Sequence, residues 1–176
     1  MSERKQNKKI DKRAPVIVGV GDLVDRSKED GLNPQELLAK ACEHAIQDSG
    51  IKEVNNHIDY VGVVRFTVDF LTATNQSNFQ YSNFPRTLAN KLNISAKNEV
   101  YAPMGGNSPQ VLLEDALVKI STGETDCALL SGGEALQTMI AKLKAGMSLD
   151  WLDEPGGSPE MIGNNDIGFS DHEKLH

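Results

Sequence analysis

Tyr101-Ala-Pro-Met-Gly-Gly-Asn-Ser-Pro-Gln110 reads as a strand that turns at once into a helix. The strand side is Glu99-Val-Tyr-Ala-Pro-Met104. The helix side runs from Ser108 to Ser121, with Leu112, Leu113, Ala116, Leu117 and Ile120 on its apolar side and Gly123 as its stop. Gly105 and Gly106 form the turn, Ser108 is expected to cap the helix, and Pro109 to be its first residue. Turns of this kind often hold a nucleophile or bind an anion. This one contains no Cys, and its hydroxyl is the one the cap would use.

The same alternation extends in both directions. Pro15-Val-Ile-Val-Gly-Val20 is a continuous β-branched run, the pattern of a strand buried on both faces. Asn33-Pro-Gln-Glu36 starts a helix by a capping box, Leu37, Leu38, Ala41 and Ala45 follow at helical spacing, and Gly50 ends it. Ile58–Val64 is the second expected strand. Residues 66–82 read as a long polar loop, and Pro85–Leu92 as a short helix. Asp126–Leu130 is the fourth expected strand, leading through Ser131-Gly-Gly133 into a modest helix over Ala135–Lys144. The order β-α-β-α-β-α-β predicts an α/β fold with a mostly parallel sheet and right-handed crossovers. Ligands collect beyond the carboxyl ends of such strands, the edge at which Gly105 and Gly106 lie.

Three segments follow from this reading: a disordered basic arm over 1–13, an α/β half-domain over 14–145, and an irregular glycine- and proline-containing stretch over 146–176. The chain stops inside what looks like a new helix start, which suggests a missing continuation.

The chain has 176 residues, a net charge of −7 and 39% hydrophobic residues, the composition of a globular protein with a real core. Residues 1–13 hold six Lys/Arg against Glu3 and Asp11, a net of +4 that leaves −11 on the remainder. An acidic body argues against nucleic acid as the main partner. The arm reads as solvated chain, with a nucleic-acid or membrane contact as the alternative. No apolar run is long enough to span a bilayer, and no signal-peptide core follows the basic start. Cys42 and Cys127 fall in apolar patterns, so they are expected to be buried thiols in a reducing, cytoplasmic setting. The sequons at Asn75 and Asn93 carry little meaning without secretion.

Four stretches have candidate chemistry. His172-Glu-Lys-Leu-His176 matches the zinc-protease pattern H-E-x-x-H, but its second His is the last residue, so no helix continues to hold it; metal binding is not expected. Gly19-Val-Gly21 hints at a dinucleotide loop, yet Val24 takes the place of the third glycine and no long helix opens there. Ser131-Gly-Gly-Glu134 is either a plain loop or a close-approach site. Gly105, Gly106, Asn107 and Ser108 form the strongest candidate, because glycines admit a ligand to the backbone and a helix N-terminus favours negative charge. A carbonyl oxygen, a phosphate or a thioester would suit it. A tight strand-to-helix turn with no ligand explains the same residues.

Taken together, RAPVIVGVGDLVDRS at 13–27, IDYVGVVRF at 58–66, YSNFPRTLANKLNI at 81–94, YAPMGGNSPQ at 101–110 and GETDCALLSGGEAL at 123–136 resemble the N-terminal half of a thiolase. More narrowly, they resemble the thiolase-like acetyl-CoA acetyltransferases related to the sterol-carrier-protein thiolases. SDHEKLH at 170–176 resembles the place where that family begins an inserted loop domain. The resemblance implies two βαβαβαββ halves, of which this chain holds an incomplete first one. It also implies dimers or tetramers, acyl-CoA as partner, a coenzyme A thioester as substrate rather than a bound cofactor, and carbon–carbon bond chemistry beside that thioester, a step of lipid metabolism. The family's nucleophile is a Cys at the start of the third helix, in a setting like V-C-x-S-G. A His and a second Cys come from the second half.

Two departures matter. Alignment of YAPMGGNSPQ with that setting puts Gly105 at the Cys position, with Gly106 or Asn107 as neighbouring alternatives, and none of them can form a thioester. The chain also lacks the family's fifth strand, most of its loop domain and all of its second half. The expectation is therefore the N-terminal part of a thiolase-like acetyltransferase that binds acyl-CoA through Gly105, Gly106, Asn107 and Ser108, inactive by itself and completed by a homo-oligomer or a missing C-terminal half. The alternatives are a non-catalytic module that binds a CoA thioester or assists assembly, and an inactive truncated fragment.

Overall fold

The computed structural model describes residues 11–67, 69 and 81–163. His172–His176, Asn75 and most of the expected loop over 66–82 lie outside the described residues.

Helix α1, Pro34–Asp48, begins as its sequence dictates. The Asn33 side chain accepts from the Glu36 amide at 2.8 Å, and the Glu36 carboxylate accepts from the Asn33 amide at 3.1 Å. Strand β1 is Tyr60–Val64, helix α2 Phe84–Lys91 and strand β2 Asn98–Ala102. Helix α3, Ser108–Thr122, stops at Gly123, whose φ of 82° is a left-handed value that glycine adopts without a Cβ clash. Strand β3 is Ala128–Ser131, helix α4 Leu136–Lys144 and strand β4 Glu160–Met161.

The sheet order is β3-β1-β2-β4, and every pairing is parallel. Val63 stands opposite both Tyr101 and Ser131, so the carboxyl ends of three strands reach one edge together. The side-chain period of two divides the core between the faces. Val61, Val63, Tyr101 and Leu129 pack with Leu38 and Cys42 of α1 and with Phe84 and Leu88 of α2. Tyr60, Val100 and Ala102 pack on the other face, against Leu112 and Ala116 of α3. Helices on both faces of a parallel sheet are the arrangement that the alternating sequence pattern predicts.

Two expectations are corrected. Pro15–Val20 is not a strand: no ladder pairs it, and Val16 and Ile17 are 76% and 78% exposed. The chain there lies along α1 instead. The Val20 amide donates to Asp48 at 2.9 Å, and Gly19 and Gly21 back onto the helix backbone at Ala45 and Ala41, so close that no Cβ would fit. The cause is this engagement with α1, which holds the run's backbone against the helix although the outer edge of β3 is left unpaired. The fourth strand beside β2 is β4, inside the stretch expected to be irregular. A short charge cluster holds it: Lys119 pairs with Glu160 at 2.8 Å and with Asp115 at 3.2 Å, while the Tyr60 hydroxyl donates to Asp115 at 2.8 Å.

Candidate functional site

The three strand ends open onto a cavity of about 640 Å³. Val64 and Arg65 follow from β1. Met104, Gly105 and Gly106 follow from β2, with Pro109 and Leu112 of α3 behind them. Leu130, Ser131, Gly132, Gly133 and Glu134 follow from β3. The two glycine turns singled out in the sequence thus face one space, because the register of β1 with β2 and β3 brings both strand ends level.

At the first turn the helix start differs from expectation. Asn107, not Ser108, is the cap residue, and its side chain makes no capping hydrogen bond. Ser108 is the first helical residue, 2% exposed, and its amide donates to the Gly105 carbonyl at 3.1 Å. The amides of Gln110 and Val111 close the first turn onto the Asn107 carbonyl at 3.0 and 3.1 Å. The amides of Gly105, Gly106 and Asn107 make no hydrogen bond among the described residues. Unmet donors at the positive end of a helix are suited to a carbonyl oxygen or another anionic group. Gly105 and Gly106 line the cavity; Asn107 and Ser108 flank it and do not line it.

Arg65 is a cavity residue that sequence reasoning missed, whereas Glu134 belongs to the stretch Ser131-Gly-Gly-Glu134 weighed above for its glycines. The Arg65 amide extends the β1–β2 ladder by donating to Ala102 at 2.9 Å. Its Nε lies 3.1 Å from Asp69, and its guanidinium carbon sits 4.8 Å above the Tyr101 ring. Asp69 is 2% exposed and accepts from the Tyr101 hydroxyl at 2.9 Å and from the Tyr81 amide at 3.1 Å. Burial, then the nearby Asp69 charge, pushes the Tyr101 hydroxyl well above its ordinary range. Glu134 accepts from the Thr67 amide at 2.5 Å. The available signal was position: a residue directly after a parallel strand stands on the ligand-binding edge.

Among the described residues no Cys and no His lines the cavity; its polar and charged side chains are Arg65, Ser131 and Glu134. Cys42 and Cys127 do not line the cavity. Burial raises both thiols, partly offset at Cys42 by the Ser131 hydroxyl and reinforced at Cys127 by Asp59. The His44 ring faces the Asp22 carbonyl at 2.9 Å, and His57 ends a short 3-10 turn. Among the described residues, no three His, Cys, Asp or Glu side chains group as a metal site. Gly19-Val-Gly21 opens no helix, so the dinucleotide-loop pattern has no structural counterpart.

No family model and no curated protein sequence matches the chain. Among solved structures it is similar to the crystal structure of a monomeric SCP2-thiolase-like protein type 1 from Mycobacterium smegmatis. The two are 32% identical with a TM-score of 0.54, over 70% of this chain and 24% of the other. An α/β sheet of parallel strands with helices on both faces and this likeness define the class: the fold is thiolase-like. The chain is related to the thiolase superfamily. It spans about a quarter of the length of that relative. No helix among the described residues is long and apolar enough to cross a membrane.

Proposed function

We propose that this chain is the N-terminal part of a thiolase-like acetyl-CoA acetyltransferase, and that the turn at Gly105 and Gly106 receives the thioester of an acyl-CoA. One observation carries the reading: the unmet amides of Gly105, Gly106 and Asn107 stand at the start of α3, beside a cavity at the carboxyl edge of the sheet. Amides placed in this way stabilise the negative charge that a carbonyl oxygen develops during acyl transfer. Val64, Met104, Pro109, Leu112 and Leu130 give the cavity an apolar wall for the acyl group. Acyl transfer by the whole protein then proceeds without a covalent enzyme intermediate at Gly105, because glycine has no atom to take the acyl group. The general acid and base come from the remainder of the protein or from a partner copy. The described cysteines are unpaired, which supports a reducing, cytoplasmic setting within the same proposal.

Hydrogen exchange of the whole gene product with and without acetyl-CoA tests this. The expected result is slowed exchange at the Gly106 and Asn107 amides. Unchanged exchange there, at saturating acetyl-CoA, overturns the reading. A second reading, a CoA-thioester-binding or assembly module without catalysis, is favoured by the glycine where the resemblance puts the nucleophile and by a cavity that no described Cys or His lines. Protection of the turn without any acyl transfer by the whole protein selects it.

A further inference from the structure

Within that proposed function, we infer that Arg65 makes the cavity selective for acyl groups that end in a carboxylate. The inference rests on the thioester reading of the Gly105–Gly106 turn and names its substrate class.

Three observations carry it. First, Arg65 lines the same cavity as Gly105 and Gly106, so both border the space that a ligand seated at the turn enters. Second, the side chain is placed before any ligand arrives: its Nε is buried 3.1 Å from Asp69 as an ion pair without a hydrogen bond, and its guanidinium stacks over the Tyr101 ring. A guanidinium carries five donors in a planar fork, more than these two partners use, and the remaining edge matches a carboxylate in two parallel bonds. Third, the volume decides which anion it meets. A cavity of about 640 Å³ takes an acyl group and the adjoining thioester, not the long pantetheine arm and the nucleotide as well. With the thioester at the turn, the phosphates of coenzyme A lie outside. The anion within reach of Arg65 is therefore on the acyl side. Glu134 is the opposing charge on the wall, but it is exposed and engaged by the Thr67 amide, while Arg65 is half-buried and held in place.

The test compares succinyl-CoA with butyryl-CoA, equal in chain length and different in the terminal carboxylate, by competition binding to the whole gene product. Wild type is expected to prefer succinyl-CoA by about tenfold or more, the scale of one charge-assisted pair. In R65Q the ratio falls toward one. Because R65Q leaves the buried Asp69 without its ion pair, R65Q/D69N is measured beside it, and the ratio collapses there too. Equal binding of the two esters by wild type overturns the inference and leaves the thioester reading standing. An R65Q loss that is the same for both esters also overturns it, since it means that Arg65 holds a coenzyme phosphate. Failure of both esters to bind or to protect the turn overturns the inference and the thioester reading together.

Discussion

The Ser108 hydroxyl lies 3.2 Å from the point where a Cβ on Gly105 would stand, and the Asn107 side-chain oxygen lies at the same distance from it. Gly105 does not hold a left-handed backbone, so a side chain there meets two polar neighbours and no backbone obstacle. The position proposed to correspond to the thiolase nucleophile admits a Cβ once these two side-chain tips give slightly.

G105C should therefore fold, with stability within about 1 kcal/mol of wild type, because two side-chain tips need to give by only a few tenths of an ångström. Its new thiol should be the one that iodoacetamide modifies first near neutral pH. Cys42 and Cys127 both have raised thiol pKa values, so their thiolate fraction grows only at higher pH. Mass spectrometry of peptides after brief labelling checks this; preferential labelling of Cys42 would contradict the geometry of the turn.

Gly62 tests the packing under the site. A Cβ added there meets the Leu112 Cδ1 at 2.7 Å and the Tyr60 ring at 2.8 Å, where β1 lies against α3. G62A should cost about 1–3 kcal/mol through overpacking, read as a lower urea midpoint. A neutral effect would mean that α3 packs more loosely on the sheet than described.

The cap of α1 offers an independent check. N33A removes the side-chain oxygen that accepts from the Glu36 amide at 2.8 Å and should cost about 1 kcal/mol. N33S, which keeps an acceptor, should recover most of that loss in the same denaturation series.

The run at Val16, Ile17, Val18 and Val20 is exposed along α1, and β3 leaves one edge of the sheet unpaired. An unpaired edge and an exposed apolar run each promote association between chains. The 176-residue chain should sediment with a concentration-dependent mass, and V18K/V20K should shift it toward monomer. Concentration-independent monomer for wild type would contradict this.

Local chemistry explains which features were legible in the sequence. Asn33, Pro34 and Glu36 announce α1, and Gly123 marks the end of α3, because caps act through neighbouring backbone. The strands at 60–64 and 128–131 show as largely apolar runs, and 98–102 through Val100, Tyr101 and Ala102, because these positions are packed in the sheet. Pro15–Val20 carries an equally strong strand pattern, but a strand exists only with a partner, and partners are set by distant segments. β4 was illegible because two residues have no period; Lys119 and Asp115 of another element hold it. Gly105 and Gly106 were legible as a turn. Their meeting with Arg65, Gly132 and Glu134 depends on sheet register, which no short stretch encodes.

The central claim is that the cavity beside Gly105 and Gly106 holds the acyl thioester. Gly106 offers the direct test, since it lines the cavity and nothing stands within 4 Å of a Cβ placed there, so a large side chain is accommodated at the cavity wall without disturbing the core. Calorimetric titration of the whole gene product with acetyl-CoA should give a Kd below about 1 mM for wild type, weakened at least about tenfold in G106F at an unchanged melting temperature. No heat from wild type, or equal affinity in a folded G106F, would contradict the account.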